Sequence, residues 1–472
     1  MSQSQSSATL SVNDQDPVAA SQPPTTVTER DEPTLGYASY VLVVLMVCYT
    51  LSFIDRQILS LLVGPIRRDL GISDSSVGLL QGLAFALFYT ALGIPMGRIA
   101  DTRSRRLLIT AGVLLWSLMT ALSSGAKSFW SLFLARMGVG IGEATLAPGA
   151  FSMITDYFSK QRLGRALSVY SMGIFIGSGL ALLVGGSVVD ATSRLPSVDL
   201  PVLGTIASWR VTFLVVGAPG LLIALWVYTL KEPPRRNLLL TGDGRPSTLT
   251  ISEVVDQVRV RWQSVVGISL AMVFHSMCTY GLIAWAPTVL QRVHGWSPGE
   301  VGRTLGLLIV CFGCLGMFTG GVVTDVWRRQ GIRDAPLRVG IICAVTAGSL
   351  FVLALTRADA VRMMTLFAPA LFFLGLPMGV SYAALQWILP NQVRGQISAL
   401  FLLILNLGGL TLGPLLPPFF SDYVFRSEQM IGLGLAVSIG SGSLLMLLSF
   451  VLTCRPYRLH SAAMDALDDT EL

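Results

Sequence analysis

Apolar residues recur along this chain from Tyr40 almost to the C-terminus, in runs of about 20 broken by short charged or Gly/Pro-rich segments, the length that crosses a bilayer as a helix. The pattern predicts twelve such helices, centred near Tyr49, Phe88, Leu115, Val139, Ile176, Gly217, Cys278, Phe312, Val345, Phe373, Leu407 and Gly440. The longest internal break, Lys231 to Trp262, holds KEPPRR, a Gly/Pro/Ser/Thr segment and SEVVDQVRVRW, which reads as a short amphipathic helix on the membrane surface. It divides six helices from six. The predicted organisation is a disordered tail (1–35), an N-terminal six-helix bundle (36–230), a linker (231–262), a C-terminal six-helix bundle (263–455) and a second tail (456–472). The fold class is an all-α membrane protein, and paired halves are how many secondary transporters build a site at the bilayer midplane.

Composition agrees: 52% of the 472 residues are hydrophobic, 13% are charged, and the mean hydropathy is +0.66. That excludes an ordinary soluble domain. The net charge of +6 could suggest nucleic acid, but its distribution reads as basic cytoplasmic loops. With both termini inside, 21 of the 33 Lys and Arg residues fall in the N-terminal tail, the even-to-odd loops and the C-terminus. No apolar core for a signal peptide precedes the first helix, so a bacterial inner membrane with both ends cytoplasmic is expected. The six cysteines lie in or at the ends of apolar runs and read as packing residues, the Cys311-x-x-Cys314 spacing included. The three histidines, His275, His294 and His460, are scattered, and no nucleophile with its base or metal cluster stands out. An enzyme, a cofactor and a filter-type channel are not expected; a monomer among membrane lipids is.

Charge inside the bilayer supplies the candidate chemistry. The stretch ARMGVGIGEATLAPGA, Ala135 to Ala150, puts Arg136 and Glu143 in one predicted helix, at a cost of about 2.5–3.5 kcal/mol per charged group. Seven residues apart, they share a face. Gly138 and Gly142 form a G-x-x-x-G pair that admits another helix, and Pro148 loosens the hydrogen bonding beyond. Asp55, inside the first run, is the nearest acidic candidate to pair with Arg136, and Arg56 follows it about 100° around the helix. A buried carboxylate whose arginine partner moves can exchange a proton, although a static ion network fixing two helices fits the same residues.

A weak repeat links the two halves. GRIADTRSRR, Gly97 to Arg106, and GVVTDVWRR, Gly321 to Arg329, each carry Gly, an Asp four later and then paired basics between the second and third helices of their half. Gly97, Asp101, Arg105, Arg106, Asp325, Arg328 and Arg329 are therefore candidates for a cytoplasmic gate. The first of these loops resembles the signature G-x-x-x-D-R-x-G-R-R of the major facilitator superfamily, with Thr102 and Ser104 in place of Arg and Gly. More specifically, FIDRQILS (Phe53 to Ser60), GLLQGLAFALFYTALGIPMGRIAD (Gly78 to Asp101), RMGVGIGEA (Arg136 to Ala144) and GLIAWAPTVLQR (Gly281 to Arg292) resemble the spinster-like branch, a family of lysosomal lysophospholipid and sphingosine-1-phosphate transporters with bacterial relatives. The resemblance implies two six-helix bundles rocking about a central cavity, with Asp55, Arg136 and Glu143 at polar positions of the first.

On that basis Asp55 is expected to carry a coupling proton, Arg136 to alternate between the carboxylates and an anionic head group, and Glu143 to tune the exchange. Arg56 either contacts substrate or reaches toward the outer surface. In the second half Tyr280, Tyr382, Gln386 and Trp387 are candidates for an aromatic, polar wall, and interhelical hydrogen bonding is the plainer reading of each. The expected substrate is an amphipathic lipid such as a lysophospholipid or sphingoid phosphate, with small organic anions or amphipathic drugs as the alternative, and a lipid-binding receptor as the non-transport one.

Overall fold

A computed structural model of the protein describes residues 34–193, 198–200, 204–234, 258–389 and 393–470. The expected N-terminal tail lies outside the described residues except for Thr34 and Leu35, where the first helix already begins. Most of the expected surface helix in the linker lies outside them too.

Among the described residues eleven helical stretches are long and apolar enough to cross a bilayer. In the first half they are α1 (Leu35–Leu61), α3 (Asp74–Gln81) continuing into α4 (Leu83–Thr102), α5 (Arg105–Ser123), α8 (Lys160–Ser193) and α9 (Ser208–Tyr228), with a short α2 (Val63–Leu70) after α1. The remaining pass comes in two pieces, α6 (Phe129–Glu143) and α7 (Leu146–Tyr157). Pro148 accounts for the break, because without an N–H it cannot bond the carbonyl of Ala144 four residues back. The second half holds α10 (Trp262–Arg292), α11 (Pro298–Leu308) leading through a π turn into α12 (Cys314–Arg329), α13 (Ala335–Leu355), α14 (Ala360–Gly375) with α15 (Pro377–Trp387), α16 (Arg394–Phe419) and α17 (Ile431–Thr470). Residues such as Leu222, Phe318 and Leu452, each more than 70% exposed, give the outer surface the apolar character that lipid requires.

Two details depart from the sequence expectation. A two-stranded antiparallel ribbon, β1 (Val198–Leu200) with β2 (Gly204–Ile206), links α8 to α9. The last helix also runs past residue 455, so the segment expected as a tail is helical through Thr470. Tyr457 anchors it, fully buried with its hydroxyl donating to the Ala384 carbonyl at 3.1 Å.

The G-x-x-x-G pair does receive a neighbour. A Cβ on Gly142 would stand 2.7 Å from the Gly112 carbonyl oxygen of α5, and one on Gly138 would meet Met119. Gly140, between them, lies against the Phe85 carbonyl of α4 in the same way, at 2.6 Å. The glycines thus let α6 sit deep between two helices of its own bundle.

The two bundles touch along α8 with α11, and along α3 and α4 with α16. Both seams are glycine-lined: a Cβ on Gly179 would be 2.6 Å from the Gly306 carbonyl oxygen, and on Gly78 2.6 Å from that of Pro414. The seams tighten toward the face that carries the α1–α3, α10–α11 and α16–α17 connections. There one buried apolar cluster joins Ile58, Leu62, Val77 and Leu80 to Val301 and Leu305 across the divide.

A charge cluster closes the same face. The fully buried Asp74 carboxylate pairs with Arg292 of α10 at 2.6 Å and with Arg67 of α2 at 3.1 Å. Arg67 in turn forks onto Glu428, with contacts of 2.6 and 2.8 Å, and the Ser75 amide donates to Asp422 at 2.8 Å. Toward the opposite face, which bears both chain ends, Ile109, Val113 and Ile154 pack in the first bundle and Val339, Leu376 and Val380 in the second. No ion pair between described residues joins the bundles there. Among the described residues, ion pairs and a shared apolar cluster join the bundles at one, closed face, and no ion pair joins them at the other, open face.

A charged and aromatic site between the bundles

Tyr49, Phe53 and Arg56 fall at i, i+4 and i+7 of α1 and so project on one face. Phe85 and Tyr89 do the same on α4. The Arg56 guanidinium lies over the Phe85, Tyr89 and Phe53 rings at 4.5, 4.9 and 5.2 Å from their centroids. It also bonds the Glu143 carboxylate, Nε to Oε2 at 2.5 Å. Tyr170 of α8 stacks on Tyr49, centroids 5.1 Å apart, extending the aromatic wall. From the second bundle Tyr280 and Tyr382 come within electrostatic reach of this group, and Tyr382 is held edge-on by Phe401 at 5.2 Å.

Asp55 points elsewhere. One residue before Arg56 means about 100° of rotation, and its carboxylate is completely buried. Arg136 does not pair with that carboxylate; its Nη1 donates to the Asp55 backbone carbonyl at 3.1 Å. The expected alternation of Arg136 between Asp55 and Glu143 is therefore not the arrangement of this state, in which Glu143 belongs to Arg56. Arg136 is 1% exposed, whereas the Arg56 side chain is 13% exposed. Of the two arginines, only Arg56 presents charge toward the space between the bundles.

The expected second-half wall divides. Tyr280 and Tyr382 face the site, while Gln386 is exposed and Trp387 lies under the Arg328 guanidinium at 3.8 Å, nearer the open face. Cation–π stacking replaces the acidic partner that Arg105 has in the first half. His275 is buried with Nε2 2.8 Å from the Leu374 carbonyl, a satisfied core residue. Among the described residues no group of His, Cys, Asp and Glu could hold a metal ion.

The gate candidates are also placed differently from one another. Gly97, Asp101, Asp325 and Arg329 line the open face without an ion pair between described residues, Asp101, Asp325 and Arg329 being exposed. Arg105 and Arg106 instead turn into their own bundle. Arg105 pairs with Asp156 and, at 2.8 Å, with Glu232. Glu232 also accepts from the Arg106 amide at 2.9 Å and from Ser104 Oγ at 2.8 Å, capping α5 and tying it to the segment after α9. Partial burial opposes the Glu232 charge, but the Arg106 amide and the Arg105 and Ser104 side chains outweigh it and hold the carboxyl below its ordinary value of 4.5. A carboxylate so depressed contributes stability above its ordinary value, lost as pH falls through the lowered one. Thermal unfolding in detergent should therefore be insensitive to Glu232 ionisation near neutrality and weaken below about pH 4.5. Glu232→Gln should lower the neutral-pH melting temperature and flatten part of that acid decline.

Sequence reasoning missed the aromatic wall of the first bundle and the helix α5 side chains Trp116 and Thr120, which face α1 and α6. The i, i+4 spacings of Phe85 with Tyr89 and of Trp116 with Thr120 were the available signal.

The sequence model described as Major Facilitator Superfamily matches residues 45–414. The chain belongs to this superfamily. Within the superfamily it is 29% identical over 428 residues to an MFS-type efflux pump of Mycolicibacterium smegmatis, covering 88% of this chain and 92% of that protein. It is 27% identical over 419 residues to Protein spinster homolog 1 of Xenopus laevis, covering 84% and 75%. Its fold matches the crystal structure of a bacterial homologue of the human lysosomal transporter Spinster, inward-facing and unoccupied, with a TM-score of 0.70 at 26% identity over 92% of this chain and 98% of that one. This is a multi-pass membrane protein with the major facilitator fold, and alternating access between two bundles is the superfamily's mode of transport.

Proposed function

We propose that this protein is a proton-coupled transporter of an amphipathic lipid with an anionic head, of the lysophospholipid or sphingoid-phosphate class. The observation that carries the reading is Arg56, a partly exposed cation between the bundles, walled by Phe53, Phe85 and Tyr89 and faced by Tyr280 and Tyr382. An anionic head group meets Arg56 in competition with Glu143, and an acyl chain lies along the aromatic and apolar wall. Asp55, on the same turn of α1 but turned into the bundle, carries the proton. Arg136 fixes the backbone that holds both, and Glu143 links them. The likeness to spinster proteins supports the lipid class. The membrane is taken as a bacterial inner membrane with both chain ends cytoplasmic, so that the closed face is the outer one, and the protein acts as a monomer.

A second reading, export of amphipathic drugs, is favoured by the same aromatic wall and by the likeness to an efflux pump. Flux of a radiolabelled lysophosphatidylglycerol in proteoliposomes, with and without an imposed pH gradient, separates them. Gradient-stimulated flux is expected for the lipid. Lipid that neither moves nor competes, with gradient-driven movement of a drug dye such as ethidium, would overturn the lipid reading in favour of the second.

A further inference from the structure

Seven buried polar atoms of α1, α5 and α6, at and near Asp55, lack a hydrogen bond of ordinary geometry to another described residue. They are both carboxylate oxygens of Asp55, Ser52 Oγ, Thr120 Oγ1, Trp116 Nε1, Arg136 Nε and Glu143 Oε1. All five of the residues other than Asp55 are at most 1% exposed. Ser52 stands one turn before Asp55 on α1 and beside the Glu143 carboxyl; Thr120 of α5 stands beside the Asp55 carboxyl. Trp116 is one turn before Thr120.

Leaving a buried polar group unmade costs about 1–3 kcal/mol each, so this many in one place is not sustained dry. Buried water satisfies such groups when a site is polar and offers it two to four partners. Here the indole N–H, the Arg136 Nε–H and the hydroxyls supply donors and the two carboxyls supply acceptors, the mixture that bridging water needs.

We infer that α1, α5 and α6 enclose a water-holding polar site at the Asp55 carboxyl, with Thr120 the residue that positions water against it. The site rests on the proton-coupled reading above and adds to it a hydrated compartment distinct from the aromatic site. Glu143 is common to both. Its Oε2 bonds Arg56 on the substrate side, and its Oε1, buried and without a partner among the described residues, belongs to the hydrated side. A head group that takes Arg56 away from Oε2 leaves that carboxylate to be satisfied by the water, which transmits substrate binding to Asp55 with no movement of Asp55 itself.

The charged groups facing Asp55 are Glu143 and Arg136 of α6 and Arg56 of its own helix. From α5 come Trp116 and Thr120, which do not titrate. Tyr170 of α8 lies against Tyr49, and Tyr280 of α10 lies on the Arg56 side. Arg210 of α9 is engaged near one end of its helix with Asp69, and Asp156 of α7 near the other with Arg105. Thr120 therefore acts on one titrating carboxyl as a neutral hydroxyl rather than as another charge.

Infrared difference spectra of the purified protein across a pH titration test this without knowledge of the substrate. The carboxyl stretching band lost in Asp55→Asn identifies Asp55. In Thr120→Val that band should shift in frequency and its titration midpoint should move by about half a pH unit or more, and Thr120→Ser should restore both. A band in Thr120→Val that superimposes on wild type overturns the water site alone. Failure of Thr120→Ser to restore it assigns Thr120 to packing and overturns the site equally. If Thr120→Val does not fold, Trp116→Phe, which removes only the indole N–H, should change the same band, and an unchanged band there is the overturning result. A titration with no band lost in Asp55→Asn removes Asp55 as the proton carrier, and with it the coupled reading.

Discussion

Asp55→Asn should abolish the stimulation of lipid flux by a pH gradient while leaving the protein folded. Both halves follow from the geometry. The Asp55 carboxylate is completely buried and makes no ion pair; Arg136 holds the backbone carbonyl of residue 55, which the substitution leaves in place. Asparagine is nearly the same size and never carries charge, so it removes the proton site without opening a cavity or orphaning an arginine. The melting temperature should therefore stay within a few degrees of wild type or rise, and binding of lysophosphatidylglycerol should persist. Flux down the lipid's own gradient should continue, indifferent to pH. Undiminished gradient stimulation in the mutant would sink the assignment of the proton to Asp55. Glu143→Gln should behave otherwise, because it strips the charged partner from Arg56, a cation only 13% exposed, and breaking such a pair from one side destabilises.

Asp74→Ala should swing the conformational equilibrium away from the closed outer face. The carboxylate is fully buried between Arg67 and Arg292, which belong to different bundles and are themselves only 16% and 14% exposed. Removing it leaves Arg292 without a carboxylate and facing Arg67, which keeps only the exposed Glu428, whereas in the opposite state water can reach both arginines. The destabilisation of a broken buried pair, about 3–5 kcal/mol, is comparable to the roughly 5.5 kcal/mol that reverses a 99:1 population. Spin labels at Arg68 and Val293, exposed residues on either side of this face, should report a short distance in wild type and a longer, dominant one in the mutant. Glu428→Gln should do less, since Glu428 is 59% exposed and its pairing with Arg67 is shared with water. An unchanged distance in Asp74→Ala would show that apolar packing alone keeps the face shut.

How far the sequence foretold this molecule depends on the range of the interaction. Twelve passes could be read because bilayer thickness dictates run length locally, and the break before Pro148 because a missing N–H acts four residues back. The packing of Gly138, Gly140 and Gly142 was readable for the same reason. The charge cluster at the closed face was not: Asp74 and Arg292 are 218 residues apart, and each alone looks like an ordinary loop charge. The partnership of Arg56 with Glu143, in place of Arg136 with Asp55, turns on how α1 is rotated against α6, which spacing within one helix does not specify. Tyr49, Phe85, Tyr89 and Tyr170 were lost because an aromatic facing a cavity and one facing lipid score alike in an apolar run.

The glycine seams between the bundles carry a mechanical consequence. Where α8 meets α11 and α3 and α4 meet α16, backbone comes against backbone at Gly179, Gly306, Gly78 and Gly82, with only the small side chains of Val310, Leu183 and Pro418 beside the contact. Such surfaces can roll over one another the way two smooth cylinders do, changing their angle without first unthreading knobs from holes. The seams then set where the fulcrum lies but add little to the barrier for crossing it. What holds the protein in one state is then the apolar cluster at the closed face together with the few charges at its rim, so the speed of the transport cycle becomes tunable at Asp74, Arg292 and Arg67, far from the site where substrate is chosen.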